Sequence, residues 1–224
     1  GTGNYNEKTS ELYTDLSYIT AKSTIGEEVA GVFNNLATEQ LTQHVDKLIV
    51  APLCFKTVLL REMEVEIRCQ MQGGKGRILL KCNSISDREI IEMLSKASVA
   101  GVPVDMIVRG ICCLQAGLPG LTDNIRVRSL VGRYLEHSRI YAFGTEDRLR
   151  IYIASGDFLT RNTERRVEVG VLIEDPRIQR LLCDILESQL KDNVNAREMQ
   201  LDGSYSKVHR RRAEDNVWDS QIEM

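Results

Sequence analysis

The sequence predicts an α/β fold in which a mixed β-sheet is flanked by helices. Two observations lead to this prediction. Between residues 47 and 108, short apolar runs alternate with longer segments of helical character. Two further apolar runs, at 138–143 and 148–158, are separated only by the turn residues 144–147. The alternation is typical of parallel strands joined by helical crossovers, whereas the close spacing indicates an antiparallel hairpin.

The first part of this pattern contains three predicted strands. They are "KLIVAP" (47–52), "RILLKCNSI" (77–85) and "VDMIV" (104–108). Because one helix separates each strand from the next, we expect the three strands to run parallel with right-handed crossovers.

Two helices are predicted between these strands. The first, 54–72, ends at Gly73 and Gly74, because glycine readily adopts the left-handed backbone of a C-cap. Ser86 and Glu89 have the spacing of a capping box and predict the start of the second helix. Its apolar stripe consists of Ile90, Ile91, Leu94 and Ala97.

Composition limits the class of protein. The chain has 224 residues, with 42% hydrophobic residues, 27% charged residues and a net charge of −3. A nonspecific nucleic-acid binder usually has a basic excess, so we expect no nucleic-acid partner. No apolar run is long enough to cross a membrane and no signal peptide is apparent. A cytoplasmic location is therefore expected, with peripheral membrane association as a second option. The start "GTGNYN" lacks Met, and we expect a longer parent protein.

The six cysteines show no CxxC spacing and no neighbouring histidine. We therefore expect buried free thiols in a reducing compartment, and neither disulfides nor a zinc site. They are Cys54, Cys69, Cys82, Cys112, Cys113 and Cys183.

Basic residues and a histidine gather around the predicted hairpin. In "EHSRIYAF" (136–143), His137 and Arg139 would project from the same face of a strand. Arg109 directly follows the 104–108 strand, at the carboxyl edge where ligands of α/β sheets bind. Guanidinium groups bind phosphoryl oxygens bidentately, and histidine exchanges protons or phosphoryl groups near neutral pH. The residues alone thus make His137 a candidate nucleophile. The alternatives are a packed core histidine and, for Arg109, a surface arginine.

The beginning of the chain resembles a later segment. A shift of 153 positions places 1–20 over 154–173 without a gap, and the apolar stripe that begins at Ile25 over the one that begins at Ile178. We therefore predict that the chain contains parts of two related lobes. Residues 1–46 would be the C-terminal remnant of the first lobe, 47–200 the complete second lobe, and 201–224 a charged tail. A similar His-containing strand is expected upstream of Gly1. The remnant should pack irregularly, pair with another copy or be mobile, with protease sensitivity near Thr38–His44.

Three long blocks closely resemble the C-terminal half of bacterial polyphosphate kinases of the ATP-dependent, histidine-phosphorylating type. They are "GTGNYNEKTSELYTDLSYITA", "IVRGICCLQAGLPGLTDNIRVRSLVGRYLEHSRIYAF" and "SGDFLTRNTERRVEV". The resemblance extends from Gly1 to about Asn193. It implies a pair of phospholipase D-like lobes, which would account for the internal repeat.

The resemblance also implies an activity. ATP would donate its γ-phosphoryl group to a histidine, which passes it reversibly to inorganic polyphosphate, with ADP as the second nucleotide and Mg²⁺ as the metal. The nucleophilic histidine and the magnesium-associated arginines of the family would lie upstream of Gly1, so no metal ligand is expected in this chain and the isolated chain should be inactive. The full-length protein is expected to be a homo-oligomer.

The resemblance assigns roles to individual residues as well. Three ATP-contacting family positions match Tyr13, Arg109 and His137. His137 then becomes a supporting phosphate ligand or proton donor instead of the nucleophile. Further candidates for lining the polyphosphate path are Arg139, Ser155, Arg161 and Arg166. For Arg161 and Arg166 the alternative is surface charge paired with Glu164 and Glu168.

A phospholipase D-like phosphodiesterase or nuclease is the main alternative function. Two features argue against it. Arg139 stands where those hydrolases commonly have lysine, and the second turn reads Ser155-Gly156-Asp157. A third alternative is a structural interaction domain, for which replacing Arg109 or His137 would leave activity intact. His44 and His209 are expected to be solvated.

Overall fold

The structure, a computed structural model, describes residues 1–38, 45–208 and 216–223. The α-helices α1 to α6 are Glu7–Ser10, Ser23–Ala37, Phe55–Met71, Arg88–Val99, Thr160–Glu164 and Pro176–Lys191. The strands β1 to β11 are Tyr13–Thr14, Leu48–Ala51, Ile78–Cys82, Val104–Val108, Ile125–Leu130, Leu135–Glu136, Arg139–Phe143, Arg150–Ala154, Glu168–Ile173, Ala196–Met199 and Tyr205–Lys207. A 3₁₀ turn, Glu146–Arg148, connects β7 and β8. His44 and His209 lie outside the described residues.

Most strands form one mixed sheet in the order β11-β10-β5-β4-β3-β7-β8-β9-β2. Strands β3, β4 and β5 are parallel neighbours, whereas β7, β8 and β9 pair antiparallel in succession. The predicted hairpin is confirmed by the β7–β8 pair, in which Arg139 faces Ala154. Strand β2 runs in the same direction as β3 and β4, as predicted, but the expectation that it lies next to β3 in a parallel sheet is wrong. β2 lies at the edge, antiparallel to β9, because β7 to β9 insert between β2 and β3.

Helices cover both faces of this sheet. On one face, α3 and α4 pack through Phe55 and Ile90 against alternate strand residues such as Ile78. On the other face, α6 packs through Leu186 against the intervening strand residues such as Leu79. Burial of each such side chain stabilises the fold by about 1.5–3 kcal/mol. The predicted α/β fold with a mixed sheet flanked by helices is confirmed.

The helix boundaries agree with the sequence except at one cap. Helix α3 ends just before Gly73, whose φ of 83° is the left-handed conformation expected there. Helix α4 is capped by Asp87 and not by Ser86. The Asp87 carboxylate accepts hydrogen bonds from the backbone N–H groups of Glu89 and Ile90, whereas the N–H of Ser86 donates to the carbonyl of Phe158. The predicted Ser86 capping box is therefore wrong, because the neighbouring carboxylate takes this position.

The N-terminal segment packs against the rest of the chain in two places. Helix α2 contacts β2 through a small cluster that includes Ile25, Val32 and Leu48. Strand β1 pairs in parallel with β6.

The internal repeat is only partly visible in the structure. The shift of 153 positions places the starts of α1 and α2 on the starts of α5 and α6. Residues 15–20, which the shift places on β9, form no strand. The repeat therefore extends to the helices but not to that strand. Of the predicted protease-sensitive stretch, residues 39–44 lie outside the described residues.

The described parts of residues 201–224 are packed, whereas the sequence predicts a charged tail there. Strand β11 pairs with β10. Ser220 is fully buried and donates two hydrogen bonds, from its N–H and its hydroxyl, to the Asp192 carboxylate. The segment 216–223 therefore contacts the end of α6 instead of extending into solvent. The division of the chain into lobes and tail stays a prediction.

All six cysteines are free thiols, as expected. Of these, only Cys82 is buried, and Cys113 is exposed. The prediction of burial is therefore right for Cys82 alone.

In the described ranges, no helix has the combination of length and apolar character needed to cross a membrane.

Candidate functional site

Four chain segments meet at one edge of the sheet. Strands β3, β4 and β8 end there, and β7, which runs in the opposite direction, begins there. The residues that follow or precede these strand ends are Asn83, Arg109, His137 and Asp157. The sequence-predicted residues Arg109, His137 and Arg139 are thus brought to the same edge, as the carboxyl-end rule predicts for Arg109.

His137 is held by a carboxylate of the N-terminal segment. Its Nδ1 lies 2.9 and 3.0 Å from the two oxygens of Asp15, and the hydroxyl of Thr2 donates to Asp15 at 2.7 Å. Burial raises the pKa of Asp15, but the hydrogen bonds from His137 and Thr2 outweigh it, so this pKa lies below its usual value. The carboxylate is therefore ionised and Nδ1 is the donor. This leaves Nε2 as the nitrogen available for chemistry.

Tyr13 lies against the imidazole of His137. The ring centroids are 4.9 Å apart at an angle of 45°. The His137 side chain retains 16% exposure, so it is not a histidine packed into the core. Tyr13 also lines a cavity of about 430 Å³ together with Asn4, Tyr5 and Asp15. The ring of His137 is thus fixed on one face by Tyr13 and at one edge by Asp15.

Arg139 is largely occupied by partners within the chain. It forms a bidentate ion pair with Asp157, with Nε at 3.2 Å and Nη2 at 3.1 Å, and its Nη1 donates to the carbonyl of Thr2 at 2.8 Å. Nη1 also lies 3.2 Å from Nε2 of His137. Arg139 is only 8% exposed, and each of its side-chain nitrogens has a hydrogen-bond partner within the chain.

Arg109 offers free donors and is hydrogen-bonded to the backbone immediately before His137. Its Nε donates to Asn83 Oδ1 at 2.6 Å and to the carbonyl of Glu136 at 2.5 Å. Asn83 also donates to the carbonyl of His137 at 3.3 Å, so a single side chain contacts both candidate residues. Neither Nη of Arg109 hydrogen-bonds to any part of the chain that the structure describes. Partial burial lowers the pKa of Arg109, although a guanidinium stays charged at physiological pH. Two oriented donors are therefore available for an anionic ligand.

Glu136 forms a buried polar hub beneath these residues. Its Oε2 accepts from Lys81 at 2.8 Å, Thr14 at 2.9 Å and Gln189 at 2.8 Å. Burial raises the pKa of Glu136, but the positive charge and the hydrogen bond of Lys81 lower it by more. The pKa of Glu136 therefore lies below its usual value. An ionised carboxylate with this many donors fixes the backbone immediately before His137.

The remaining predicted residues lie apart from His137. Ser155 donates to Glu168 at 2.6 Å and accepts from the N–H of Val169 at 3.1 Å. Both hydrogen bonds connect the turn after β8 to strand β9. Arg161 and Arg166 are exposed. Neither forms an ion pair with the described residues, because Glu164 pairs with Lys56 and Glu168 accepts from Ser155 and Asn162. The expected surface pairing of these two arginines is therefore absent from the described ranges.

The sequence reasoning missed Asp15, Asn83, Glu136 and Asp157 as site residues. Asp157 could have been found, because it stands in the polar turn after β8 as Arg109 stands after β4. Asp15 could not, because its contact with His137 depends on the pairing of β1 and β6, which are two residues each.

Comparison with known protein families shows which family this chain matches. The family model described as polyphosphate kinase C-terminal domain 2 matches residues 48–221, and that described as C-terminal domain 1 matches residues 1–42. The chain belongs to the polyphosphate kinase family. The resemblance predicted from the sequence is confirmed.

Individual relatives agree with this assignment. The chain is 45% identical over 208 residues to a polyphosphate kinase of Staphylococcus haemolyticus, which covers 93% of this chain and 29% of the relative. It is 43% identical over 224 residues to a polyphosphate kinase of Bacillus anthracis, which covers 100% of this chain and 32% of the relative. The chain thus spans about a third of the length of these relatives.

Solved structures show the same fold. The polyphosphate kinase of Porphyromonas gingivalis superposes with a TM-score of 0.93 at 35% identity, over 99% of this chain and 34% of that one. Nuc of Salmonella typhimurium, a phospholipase D family member, superposes with a TM-score of 0.50 at 14% identity, over 68% of this chain and 95% of that one. The second likeness shows the fold alone and confirms the phospholipase D-like fold expected for a polyphosphate kinase.

Proposed function

We propose that this chain supplies nucleotide- and phosphate-binding residues to a polyphosphate kinase that transfers the γ-phosphoryl group of ATP, through a phosphohistidine, to inorganic polyphosphate and back. The observation that carries the proposal is the pair formed by His137, oriented by Asp15, and Arg109, whose two Nη groups have no partner in the described ranges. A guanidinium with free donors and an oriented imidazole at the same edge of the sheet can together bind a phosphoryl group.

The reaction has two displacements. In the first, a histidine outside this chain attacks the γ-phosphorus, a P–N bond forms, the bond to the β,γ-bridging oxygen breaks, and ADP leaves. In the second, a terminal oxygen of polyphosphate attacks the same phosphorus and the P–N bond breaks. Each step is reversible, so ADP and polyphosphate regenerate ATP. Dividing the transfer in this way replaces one difficult step by two easier ones.

The residues of this chain would stabilise the negative charge of the phosphoryl groups and assist the leaving oxygen. The Nη groups of Arg109 would donate to phosphoryl oxygens and neutralise the charge that collects on them. Nε2 of His137 would act on the leaving oxygen as a phosphate ligand or proton donor, with the ring held in place by Asp15 at Nδ1. Tyr13 would contact the nucleotide from the cavity that it lines.

The carboxylates near His137 do not fit a Mg²⁺ site. Mg²⁺ prefers an octahedral set of oxygen ligands. Asp15, Asp157 and Glu136 are each committed to a cationic or potentially cationic side chain, namely His137, Arg139 and Lys81. No group of three or more His, Cys, Asp or Glu in the described ranges could hold a metal ion. We therefore propose that the ligands of Mg²⁺ lie outside this chain.

Arg161 and Arg166 are proposed to bind the polyphosphate chain. Both are exposed and unpaired within the described part of the chain. A polyanion attracts such cations through a long-range and salt-dependent interaction. The full-length enzyme is proposed to be a cytoplasmic homo-oligomer.

Incubation of the full-length parent with γ-labelled ATP tests the proposed function. We expect an acid-labile, base-stable phosphoprotein and labelled polyphosphate, whereas the isolated 224-residue chain should remain unlabelled. Cleavage of a phosphodiester substrate without phosphohistidine formation would favour the phospholipase D-like hydrolase instead. Labelling of the isolated chain would contradict the absence of the nucleophile.

A further inference from the structure

The C-terminal segment reaches the candidate site through Gln221. The side-chain amide of Gln221 accepts from the N–H of Tyr134 at 3.0 Å and donates to the carbonyl of Tyr134 at 2.9 Å. It also donates to Oε1 of Glu136 at 2.7 Å. These three hydrogen bonds involve Tyr134 and Glu136, which lie three residues and one residue before His137 and 85–87 positions away from Gln221.

Gln221 takes the place of a neighbouring strand. Backbone groups of successive residues in a strand point to opposite edges. On one edge of β6, the N–H groups of Leu135 and His137 donate to carbonyls of Leu12 and Thr14. On the other edge, Tyr134 bonds to the Gln221 amide and the carbonyl of Glu136 accepts from Arg109. Strand β6 is thus held between β1 and two side chains.

Two further observations support this role. A Cβ on Gly132 would lie 2.5 Å from Oε1 of Gln221, so the amide approaches the backbone where a side chain would exclude it. The C-terminal segment is also anchored independently of Gln221. Ser220 donates to Asp192, and the indole N–H of Trp218 donates to Ser188 at 3.1 Å. The backbone of the segment therefore presents Gln221 to β6 from a fixed position.

We propose that Gln221 is a positioning residue for His137. Its amide fixes β6 and completes the hydrogen bonding of the Glu136 carboxylate, so that the imidazole of His137 keeps its place against Asp15. The catalytic part of this proposal rests on the proposed kinase function. The structural part, that Gln221 holds β6 in place, does not depend on it.

The test compares Gln221→Ala with Trp218→Phe in the full-length parent. Trp218→Phe is the matched control, because it removes a hydrogen bond of the same segment without a contact to β6. For Gln221→Ala we expect kcat for polyphosphate synthesis to fall at least about 10-fold, with KM for ATP within about twofold, since substrate contacts remain. The amides of Tyr134 and Leu135 should exchange with solvent faster, while the thermal midpoint stays close to that of the control.

Several outcomes would overturn the proposal. These are a kcat of Gln221→Ala within twofold of the control, unchanged exchange at Tyr134, and a loss of kcat matched by an equal rise in KM. If Gln221→Ala does not fold, Gly132→Ala displaces the same amide with Gln221 still present and must give the same pattern. A wild-type parent that makes no polyphosphate refutes the proposed function and the catalytic role together. In that case, the exchange comparison still decides whether Gln221 holds β6.

Discussion

The Asp15 carboxylate contacts Nδ1 of His137 with both oxygens, at 2.9 and 3.0 Å, across 122 positions of sequence. This contact joins the N-terminal segment to the residue that directly follows β6. It requires the pairing of β1 with β6, which places Thr14 beside Glu136. The candidate site is therefore shared between the stretch matched by the first C-terminal domain of the family and the stretch matched by the second.

Replacing Asp15 by Asn should impair transfer more than binding. Asn can accept from Nδ1, but it lacks the negative charge that Asp15 places beside the imidazole. We expect kcat of the full-length enzyme to fall about 10- to 100-fold, as activity does when the carboxylate partner of a metal-bound histidine is removed. KM for ATP should change little. Asp184→Asn on the exposed face of α6 is the control. Equal activity of both variants would refute this role of Asp15.

Replacing Arg109 by Lys should weaken nucleotide binding. Lysine keeps the charge but loses the two Nη donors that have no partner in the described ranges, and it loses the hydrogen bond to Asn83. Hydrogen bonds to charged groups contribute about 1.5–3 kcal/mol, so kcat/KM should fall about 10- to 100-fold. Steady-state kinetics at several ATP concentrations measure this effect. Arg180→Lys, at an exposed position of α6, should behave as wild type.

The Glu136–Lys81 pair should make stability depend on pH in the acid range. The pKa of Glu136 is lowered from its ordinary value of 4.5, so its contribution to stability is complete above that value and is lost as the pH falls below it. Glu136→Gln leaves the buried Lys81 without its carboxylate and should cost about 3–5 kcal/mol near pH 7. Urea unfolding of wild type and of Glu136→Gln at pH 7 and pH 4 measures both the pH dependence of stability and the loss of stability in the variant.

The double variant Lys81→Met, Glu136→Gln provides the control for this prediction. Removing both charges should recover much of the stability that the single variant loses, because no unpaired buried charge remains. A difference between wild type and Glu136→Gln that stays constant from pH 7 to pH 3 would contradict a pH-dependent contribution of Glu136.

Local patterns explain which parts of the fold the sequence predicts. The β7–β8 hairpin follows from two adjacent apolar runs and a short turn. The position of Arg109 follows from its place directly after β4. In contrast, β2 pairs with β9, whose residues lie about 120 positions later. No local periodicity encodes that pairing, which explains why the strand was misplaced. Strands β1 and β6 are too short to show any periodicity. The Asp15–His137 contact, which depends on their pairing, could therefore not be predicted from the sequence.

Charge reversal at Arg161 and Arg166 should weaken polyphosphate binding and leave nucleotide kinetics unchanged. Both guanidinium groups are exposed and unpaired within the described ranges, so their contribution is a screened, long-range attraction. We expect the double variant Arg161→Glu, Arg166→Glu to raise the KM for polyphosphate in the reverse reaction several-fold at low salt. The difference from wild type should shrink as salt concentration increases. Arg177→Glu, Arg180→Glu on α6 changes the net charge equally and serves as the control. If both double variants raise the KM for polyphosphate to the same extent, net charge alone accounts for the effect, and Arg161 and Arg166 do not line the polyphosphate path.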